Sequence, residues 1–309
     1  MPTLDESIKL GQWRVYLISA AAIILWGLSY IWSDELIKQA IPVEYFVFIR
    51  VVIAAIILFL INLVWGEDMH IRRKDLPKFL ILSFCEPFVY FICETYGIFL
   101  TESPTYSALI IASTPIFSLL VGTLFLREKL TLINVLGLFI SVLGLVFVTF
   151  QASSVGQYFV LGAILLFVAV LAEVGHASCT KLLSDNYRPL VITMYQFSFG
   201  AVFLLPLFIF KGLKDFDMHY LSWQVIGPIV SLAVFCSAMA FSLWVSTIKS
   251  LGVAKSSIFL AMIPIVTAVA GVITGVEILS HTQWIGIGVC CAGVILSQRC
   301  KEKEGKCSK

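Results

Sequence analysis

The sequence predicts an all-α integral membrane protein whose ten transmembrane helices form two inverted five-helix repeats around a central cavity. Three observations support this prediction: an apolar composition, long apolar segments and an internal repeat. Of the 309 residues, 60% are hydrophobic and 13% are charged, and the mean hydropathy is +0.98. Soluble proteins contain roughly 45–50% apolar and about 25% charged residues. The composition therefore excludes a soluble globular domain, a disordered chain and a secreted disulfide scaffold.

Ten segments are apolar and long enough to cross about 30 Å of hydrocarbon as helices. We number them as spans one to ten; they are residues 15–33, 43–65, 76–98, 105–126, 131–150, 157–180, 190–210, 223–247, 253–276 and 281–299. The connections are too short for a soluble domain, and the longest, 66–75, is polar and charged. We interpret span one as a retained helix because no small-residue cleavage site follows it.

The basic residues are distributed unequally between the two ends of the spans. Seventeen Lys and Arg residues fall on the side of the two termini, three (Lys38, Lys211 and Lys214) fall on the other side, and Arg50 lies inside span two. The positive-inside rule predicts that both termini are cytoplasmic, in a multi-pass protein of the cytoplasmic (inner) membrane. Because the net charge of +2 is nearly neutral, nucleic acid is not an expected partner.

The second half of the sequence repeats the first at an offset of 149 residues. The matched pairs are Pro115 with Pro264, Gly122 with Gly271, Glu128 with Glu277, Leu130 with Leu279, Gly137 with Gly286 and Gly144 with Gly293. Each half contains five spans, so the second half must enter the membrane from the opposite side. The predicted halves are residues 1–151 and 152–299, followed by a basic cytoplasmic tail, 300–309.

Inverted repeats are typical of secondary transporters, in which the substrate site lies near the midplane between the halves. The alternative is duplication without transport, as in a structural bundle. The repeated glycines are predicted to be close contacts between helices.

Four ionisable side chains lie well within the spans: Arg50, Glu86, Glu94 and Glu173. A charge at a helix centre costs roughly 2.5–3.5 kcal/mol on insertion scales, so these groups are expected to face each other or a polar cavity. In span three, helical spacing places Ser83, Glu86, Tyr90 and Glu94 on one face. This stripe predicts a cavity lining, and hydrogen bonding to neighbouring helices is the alternative. Pro87 predicts a bend beside Glu86.

Two groupings of polar residues suggest specific roles. Arg50 and Glu94 lie at equal depth, where a charge-assisted pair would serve either as a gate or as a structural ion pair. Glu173, His176 and Thr180 share one face of span six. The Glu173–His176 pair is either a proton relay, because a neighbouring carboxylate moves histidine into its titrating range, or a hydrogen bond between helices.

Aromatic residues and prolines complete the predicted cavity. Trp26 and Tyr30 on span one and Trp244 on span eight would hold an apolar or cationic substrate, with cation–π contacts of roughly 0.5–2 kcal/mol each. Pro115 and Pro264 are predicted to break spans four and nine at matched positions, which is typical of transporter sites. The predicted substrate-cavity residues are Trp26, Tyr30, Ser83, Glu86, Tyr90, Ser113, Pro115, Glu173, His176, Trp244 and Pro264.

The sequence predicts no cofactor, metal site or catalytic residue. The eight cysteines form no C-x-x-C spacing and no Cys/His cluster. A nucleophile elbow, an HExxH motif and a phosphate loop are also absent from the sequence. We therefore expect a protein that is not an enzyme.

Several motifs resemble a known transporter family. LWGLSY (25–30), Arg50, and the span-four segment through Pro115 to REKLT (127–131) are similar to the EamA-type branch of the drug/metabolite transporter superfamily. The resemblance covers essentially the whole chain. It implies two five-helix halves around a central cavity and export of small metabolites, often amino acids or their relatives. The second half departs from the pattern, with Gly175 aligned to Trp26 and Phe199 aligned to Arg50, so symmetric roles are not expected.

The resulting hypothesis is a secondary transporter that exports amino acids, their derivatives or other amine-bearing compounds by alternating access, either coupled to protons or facilitated. An exchanger of phosphorylated metabolites or nucleotide-sugars is the alternative, disfavoured because Arg50 is the single basic residue deep in a span. A non-transporting scaffold and a membrane enzyme are less favoured. The expected partners are a small-molecule substrate, the lipid bilayer and, if transport is coupled, protons. Ten helices suffice to enclose a cavity in a monomer.

Overall fold

The computed structural model describes residues 4–118, 158–214 and 216–298, together with 132–133, 136–137, 139–141 and 143–144. The REKLT segment at 127–131, with Glu128, lies outside the described residues. So do Gly122 and the predicted basic tail at 300–309.

Helices account for the regular structure of the described part of the chain, which contains no strand. The α-helices are α1 (Leu4–Lys38), α2 (Val43–Val64), α3 (Leu76–Ser83), α4 (Tyr90–Thr101), α5 (Pro104–Ile111), α6 (Phe159–Ser184), α7 (Pro189–Leu207), α8 (Trp223–Ser231), α9 (Ala240–Leu251), α10 (Val253–Leu260), α11 (Ile263–Thr274) and α12 (His281–Gln298). Three π-helical turns, Phe84–Val89, Phe208–Gly212 and Leu232–Met239, extend or join them.

Six described helical stretches are long and apolar enough to cross a membrane. They are Trp13–Lys38, Val43–Val64, Arg73–Thr101, Phe159–Ser184, Pro189–Gly212 and Trp223–Leu251. These stretches correspond to spans one, two, three, six, seven and eight. Shorter apolar helices, Ile263–Thr274 and His281–Leu296, fall in spans nine and ten.

Span three is a broken helix, in which a π-helical turn joins α3 to α4. Glu86, inside the turn, has an extended backbone conformation with φ −149° and ψ 121°. Pro87 has no N–H to donate and its ring opposes a regular helix, so the break lies where the sequence predicts a bend. Gly200 of α7 packs against the Pro87 ring, where a Cβ atom would overlap the proline.

Spans four and nine are also interrupted, at positions 149 residues apart. In span four, α5 ends at Ile111 and a turn at Ala112 and Ser113 follows. In span nine, α10 ends at Leu260 and a turn at 261–262 precedes α11. Each turn ends two residues before a proline of the repeat, Pro115 or Pro264. The predicted breaks are therefore confirmed, and their polar backbone groups need partners within the protein.

Contacts between the halves surround a common interior. Span two packs against α7, α4 packs against α6, and α1 contacts both α9 and α11. Glycines permit the closest approaches: a Cβ atom on Gly144 would overlap the backbone of Cys290, and one on Gly293 would overlap the backbone of Ser141. These two repeat-related glycines confirm the predicted close contact, here between spans five and ten.

Candidate functional site

A narrow cavity, with about 20 Å³ of space accessible to a water-sized sphere, lies between the two halves. Its wall is formed by Trp26, Ser29, Tyr30, Arg50, Glu86, Tyr90, Phe91, Glu94, Ile111, Glu173, Phe241, Leu260 and Ile263. Spans one to three supply most of the polar groups, span six adds Glu173, and spans four, eight and nine add apolar side chains. This space holds about one water molecule, so a metabolite enters only when the surrounding spans move apart.

The structure places the predicted cavity residues in two groups. Trp26, Tyr30, Glu86, Tyr90 and Glu173 line the cavity, together with the proposed pair Arg50 and Glu94. Outside the lining are Ser83, Ser113, Pro115, His176, Trp244 and Pro264. Whether any of these residues binds a substrate stays a prediction.

The predicted serines are held by their own helices. Ser83 Oγ donates to the Phe79 carbonyl at 2.8 Å and approaches the Tyr195 carbonyl at 3.5 Å. Ser113 Oγ donates to the Ile110 carbonyl at 2.5 Å. These hydroxyls hydrogen-bond backbone carbonyls near the helix breaks, and a role for either serine in substrate binding stays a prediction.

Glu94 is hydrogen-bonded on one wall of the cavity. Tyr90 lies one helical turn before it and donates its hydroxyl to Glu94 Oε1 at 3.0 Å. Tyr30, on span one, brings a second buried hydroxyl close to both groups without reaching hydrogen-bond geometry. The predicted face of span three therefore continues across to span one as a polar wall.

Arg50 is 2% exposed and lies beside the Phe91 ring, with its guanidinium carbon 3.9 Å from the ring centroid. Its Nε donates to Ser237 Oγ at 3.1 Å. No ion pair within 4.0 Å joins Arg50 to Glu94, although both residues are described. In this structure Ser237 is the hydrogen-bond partner of Arg50 and Tyr90 is that of Glu94. A gate or ion-pair role for Arg50 and Glu94 stays a prediction.

Two acids converge on His176 behind the opposite wall. His176 Nδ1 lies 2.9 Å from Glu86 Oε2 and 3.4 Å from Glu173 Oε2, while Nε2 lies 3.3 Å from Thr180 Oγ1. The spacing of span six predicts that Glu173, His176 and Thr180 share a face. Glu86 joins them because the break in span three turns its carboxyl towards α6, which no local pattern reveals.

An aromatic cluster forms the remaining wall. Trp26 Nε1 donates to the Cys236 carbonyl at 3.1 Å, in the π-helical turn of span eight. The Trp26 ring packs edge-on against Phe241 and Trp244, with centroids 5.0 and 5.2 Å apart. Trp244 is 1% exposed and supports Trp26 from behind. Sequence reasoning missed Phe241, although it lies three residues before Trp244 and shares its face.

Interrupted transmembrane helices around a polar cavity between two related halves are typical of polytopic membrane transport proteins. The model of the EamA-like transporter family matches residues 13–150 and again 160–298. The chain therefore belongs to the EamA-like transporter family. The chain is an all-α membrane protein with ten transmembrane helices in two inverted repeats.

Curated relatives agree with this assignment. An uncharacterized transporter of Archaeoglobus fulgidus is 27% identical over 93% of this chain and 99% of its own length. The uncharacterized transporter YetK of Bacillus subtilis is 26% identical over 93% of this chain and 87% of its own length. A probable terminal-alkyne amino-acid exporter of Streptantibioticus cattleyicolor is 27% identical over 74% of this chain and 75% of its length.

A solved crystal structure shares the fold of this chain. It superposes with a TM-score of 0.71 at 15% sequence identity, covering 94% of this chain and 98% of the other. At this identity the likeness concerns the fold alone.

Proposed function

We propose that this protein is a secondary transporter that exports amine-bearing small metabolites, amino acids or their derivatives, across the cytoplasmic membrane by alternating access. The observation that carries the proposal is the buried cavity between the halves, whose wall contains three carboxyl groups and one guanidinium group. Both termini are proposed to be cytoplasmic, on the basis of the asymmetric distribution of Lys and Arg.

The excess of acids favours an amine over an anion. Glu86, Glu94 and Glu173 all line the cavity and are all buried. A buried carboxylate needs a cationic or hydrogen-bonding partner to offset its loss of water. A substrate ammonium group supplies that partner, whereas a phosphate would face three acids and one arginine. The proposed exchanger of phosphorylated metabolites is therefore disfavoured by the cavity itself.

Arg50 extends the proposal to zwitterions. Its Nε is held by Ser237 and its face by Phe91, which fixes the guanidinium plane. Among the described residues no hydrogen bond engages its two terminal amino groups, and the side chain lines the cavity. Guanidinium binds carboxylate with two parallel hydrogen bonds. We propose that Arg50 binds the substrate carboxylate while the acids bind its amine.

The aromatic wall offers a surface for the remainder of the substrate. Trp26 and Phe241 line the same cavity as the charged groups, and Ile111, Leu260 and Ile263 add apolar contacts. The name of the Streptantibioticus relative, a probable amino-acid exporter, supports a substrate of this kind. An amino acid with an apolar side chain matches this lining: its amine would face the acids, its carboxylate Arg50 and its side chain the aromatic and aliphatic residues.

The proposal is tested by efflux from proteoliposomes preloaded with an amino-acid mixture, with and without an imposed pH gradient. We expect selective loss of some amino acids. Acceleration by inward-directed protons would establish coupled export, and equal loss without the gradient would establish facilitated export. No loss above empty liposomes, with the reconstituted protein shown to be folded, would contradict the proposed substrate class.

A further inference from the structure

We propose that Glu86, Glu173 and His176 form a binding site for a divalent transition-metal ion of the zinc(II) type. All three residues are buried, and one potential ligand atom from each lies within 4.8 Å of the others. The proposal rests on the geometry of this cluster. The ion and a substrate amine compete for Glu86 and Glu173, because both acids also line the cavity. The sequence did not predict a metal site, because two of the ligands are close in sequence and the third comes from another span.

The distances suit a shared metal ion. Metal–ligand bonds of about 2.1 Å at angles between octahedral and tetrahedral values separate neighbouring ligand atoms by about 3.0–3.4 Å. His176 Nδ1 lies 2.9 Å from Glu86 Oε2 and 3.4 Å from Glu173 Oε2. Both separations from His176 are close to this range, and the two carboxylate oxygens lie within 4.8 Å of one another.

The arrangement of ligands along the chain is one that metal proteins use. Glu173 and His176 form a Glu-x-x-His motif on α6, with both side chains on one face. Glu86 supplies a second carboxylate from the neighbouring span. Bundle proteins build metal sites from Glu-x-x-His on one helix and Glu on another.

The orientation of His176 leaves lone pairs converging on one point. Its Nε2 contacts Thr180 Oγ1 at 3.3 Å, and an Nε2–H that donates there leaves the Nδ1 lone pair directed at the two acids. Neither His176 Nδ1 nor Glu86 Oε2, both buried, makes a hydrogen bond of good geometry within the described residues. In that tautomer the facing lone pairs repel each other; a proton on Nδ1 relieves the repulsion towards one acid, whereas a metal ion satisfies all three atoms together.

The ligand set also indicates which metal binds. One imidazole and two carboxylates suit zinc(II), cobalt(II), manganese(II) or iron(II), whereas copper(I) prefers thiolates. Glu86 and Glu173 line the cavity, so the open coordination positions face the space from which a ligand would arrive. Cys85 precedes Glu86 and gives an alternative thiolate ligand that the experiment must separate.

Cobalt(II) titration of the purified full-length protein in detergent, followed by visible absorption, tests the proposal. We expect one cobalt ion per chain, displaced by zinc(II), with a spectrum free of thiolate charge transfer. His176→Gln and Glu173→Gln are each expected to weaken binding on the order of tenfold or more. Glu94→Gln, which removes a carboxyl from the same cavity outside the cluster, should bind cobalt like the wild type. Thermal unfolding confirms that each variant is folded.

Three results would overturn the proposal: no cobalt binding by folded wild-type protein, equal binding by His176→Gln, or a thiolate band that disappears in Cys85→Ser. The efflux assay fails or succeeds separately from this titration. Metal binding without export of amino acids would support this proposal and contradict the proposed function. Export without metal binding would do the reverse.

Discussion

Spans three and eight are related by the repeat, and they share a backbone feature but not their chemistry. Both are interrupted by π-helical turns, Phe84–Val89 in span three and Leu232–Met239 in span eight, at positions 149 residues apart. The first turn carries Glu86, which reaches the cavity and His176. The second offers a backbone carbonyl, Cys236, to Trp26. Duplication thus preserved the interruption while the side chains acquired different tasks.

The aligned residues show this divergence directly. At an offset of 149, Glu86 corresponds to Phe235, Tyr90 to Met239 and Glu94 to Leu243. Phe235 is 45% exposed on the outside of the bundle, whereas Glu86 is buried at its centre. Span three therefore brings carboxyl groups to the cavity, whereas span eight brings the aromatic ring of Phe241. Substitutions at matched positions test this division.

The largest effect is expected for Glu86→Gln. This change removes a buried carboxyl group next to the proposed amine site, and charge-assisted hydrogen bonds contribute roughly 1.5–3 kcal/mol. We expect kcat/KM for efflux of an amino acid to fall by about 10- to 100-fold. Phe235→Leu at the matched position is the control and should retain wild-type efflux. Equal losses in both variants would contradict the division between spans three and eight.

Gly293→Val extends the comparison to spans five and ten, where the two halves use equivalent glycines. A side chain at this position overlaps the backbone of Ser141, and overpacking typically costs about 1–3 kcal/mol. We expect a lower Tm in detergent. Gly288→Ala lies on the same helix with open space around its Cβ position and should unfold like the wild type. An unchanged Tm for Gly293→Val would show that the helices can separate freely.

Arg50→Lys tests whether the guanidinium binds a carboxylate. Lysine keeps the charge but loses the bidentate geometry and the fixed contact with Phe91. We expect KM to rise on the order of tenfold for an amino acid and to change little for the corresponding decarboxylated amine. The matched control is Phe199→Leu in the second half. A similar rise for both substrates would assign Arg50 a structural role instead.

Trp26→Phe is expected to have the smallest effect. Phenylalanine retains most of the ring contact with Phe241 and Trp244 but loses the hydrogen bond to the Cys236 carbonyl, worth about 1 kcal/mol. Substrate competition assays should show a KM a few-fold higher. Trp223→Phe, at a tryptophan that is 81% exposed, is the control. A loss of all efflux in Trp26→Phe would make the link between spans one and eight essential to the transport cycle.

Local patterns predicted the features that depend on one segment of chain. Apolar length revealed the spans, Pro115 and Pro264 revealed the breaks, and helical spacing placed Glu173 beside His176. These signals are local because helical geometry fixes which neighbours share a face.

Features that depend on packing between spans were not predictable from one sequence. The contact between Glu86 and His176 requires spans three and six to pack side by side. Arg50 bonds to Ser237 because span two packs against the π-helical turn of span eight. The π-helical turn of span eight contains no proline that would reveal it, since Pro228 lies in the preceding helix.

The central claim is that the acids of the first half recognise a substrate amine. Its most direct test compares efflux of three related compounds from proteoliposomes containing the wild-type protein: an amino acid with an apolar side chain, its decarboxylated amine and its N-acetyl derivative. We predict rapid loss of the amino acid, slower but measurable loss of the amine and no loss of the N-acetyl compound. Loss of the N-acetyl compound at the rate of the amino acid would contradict the claim.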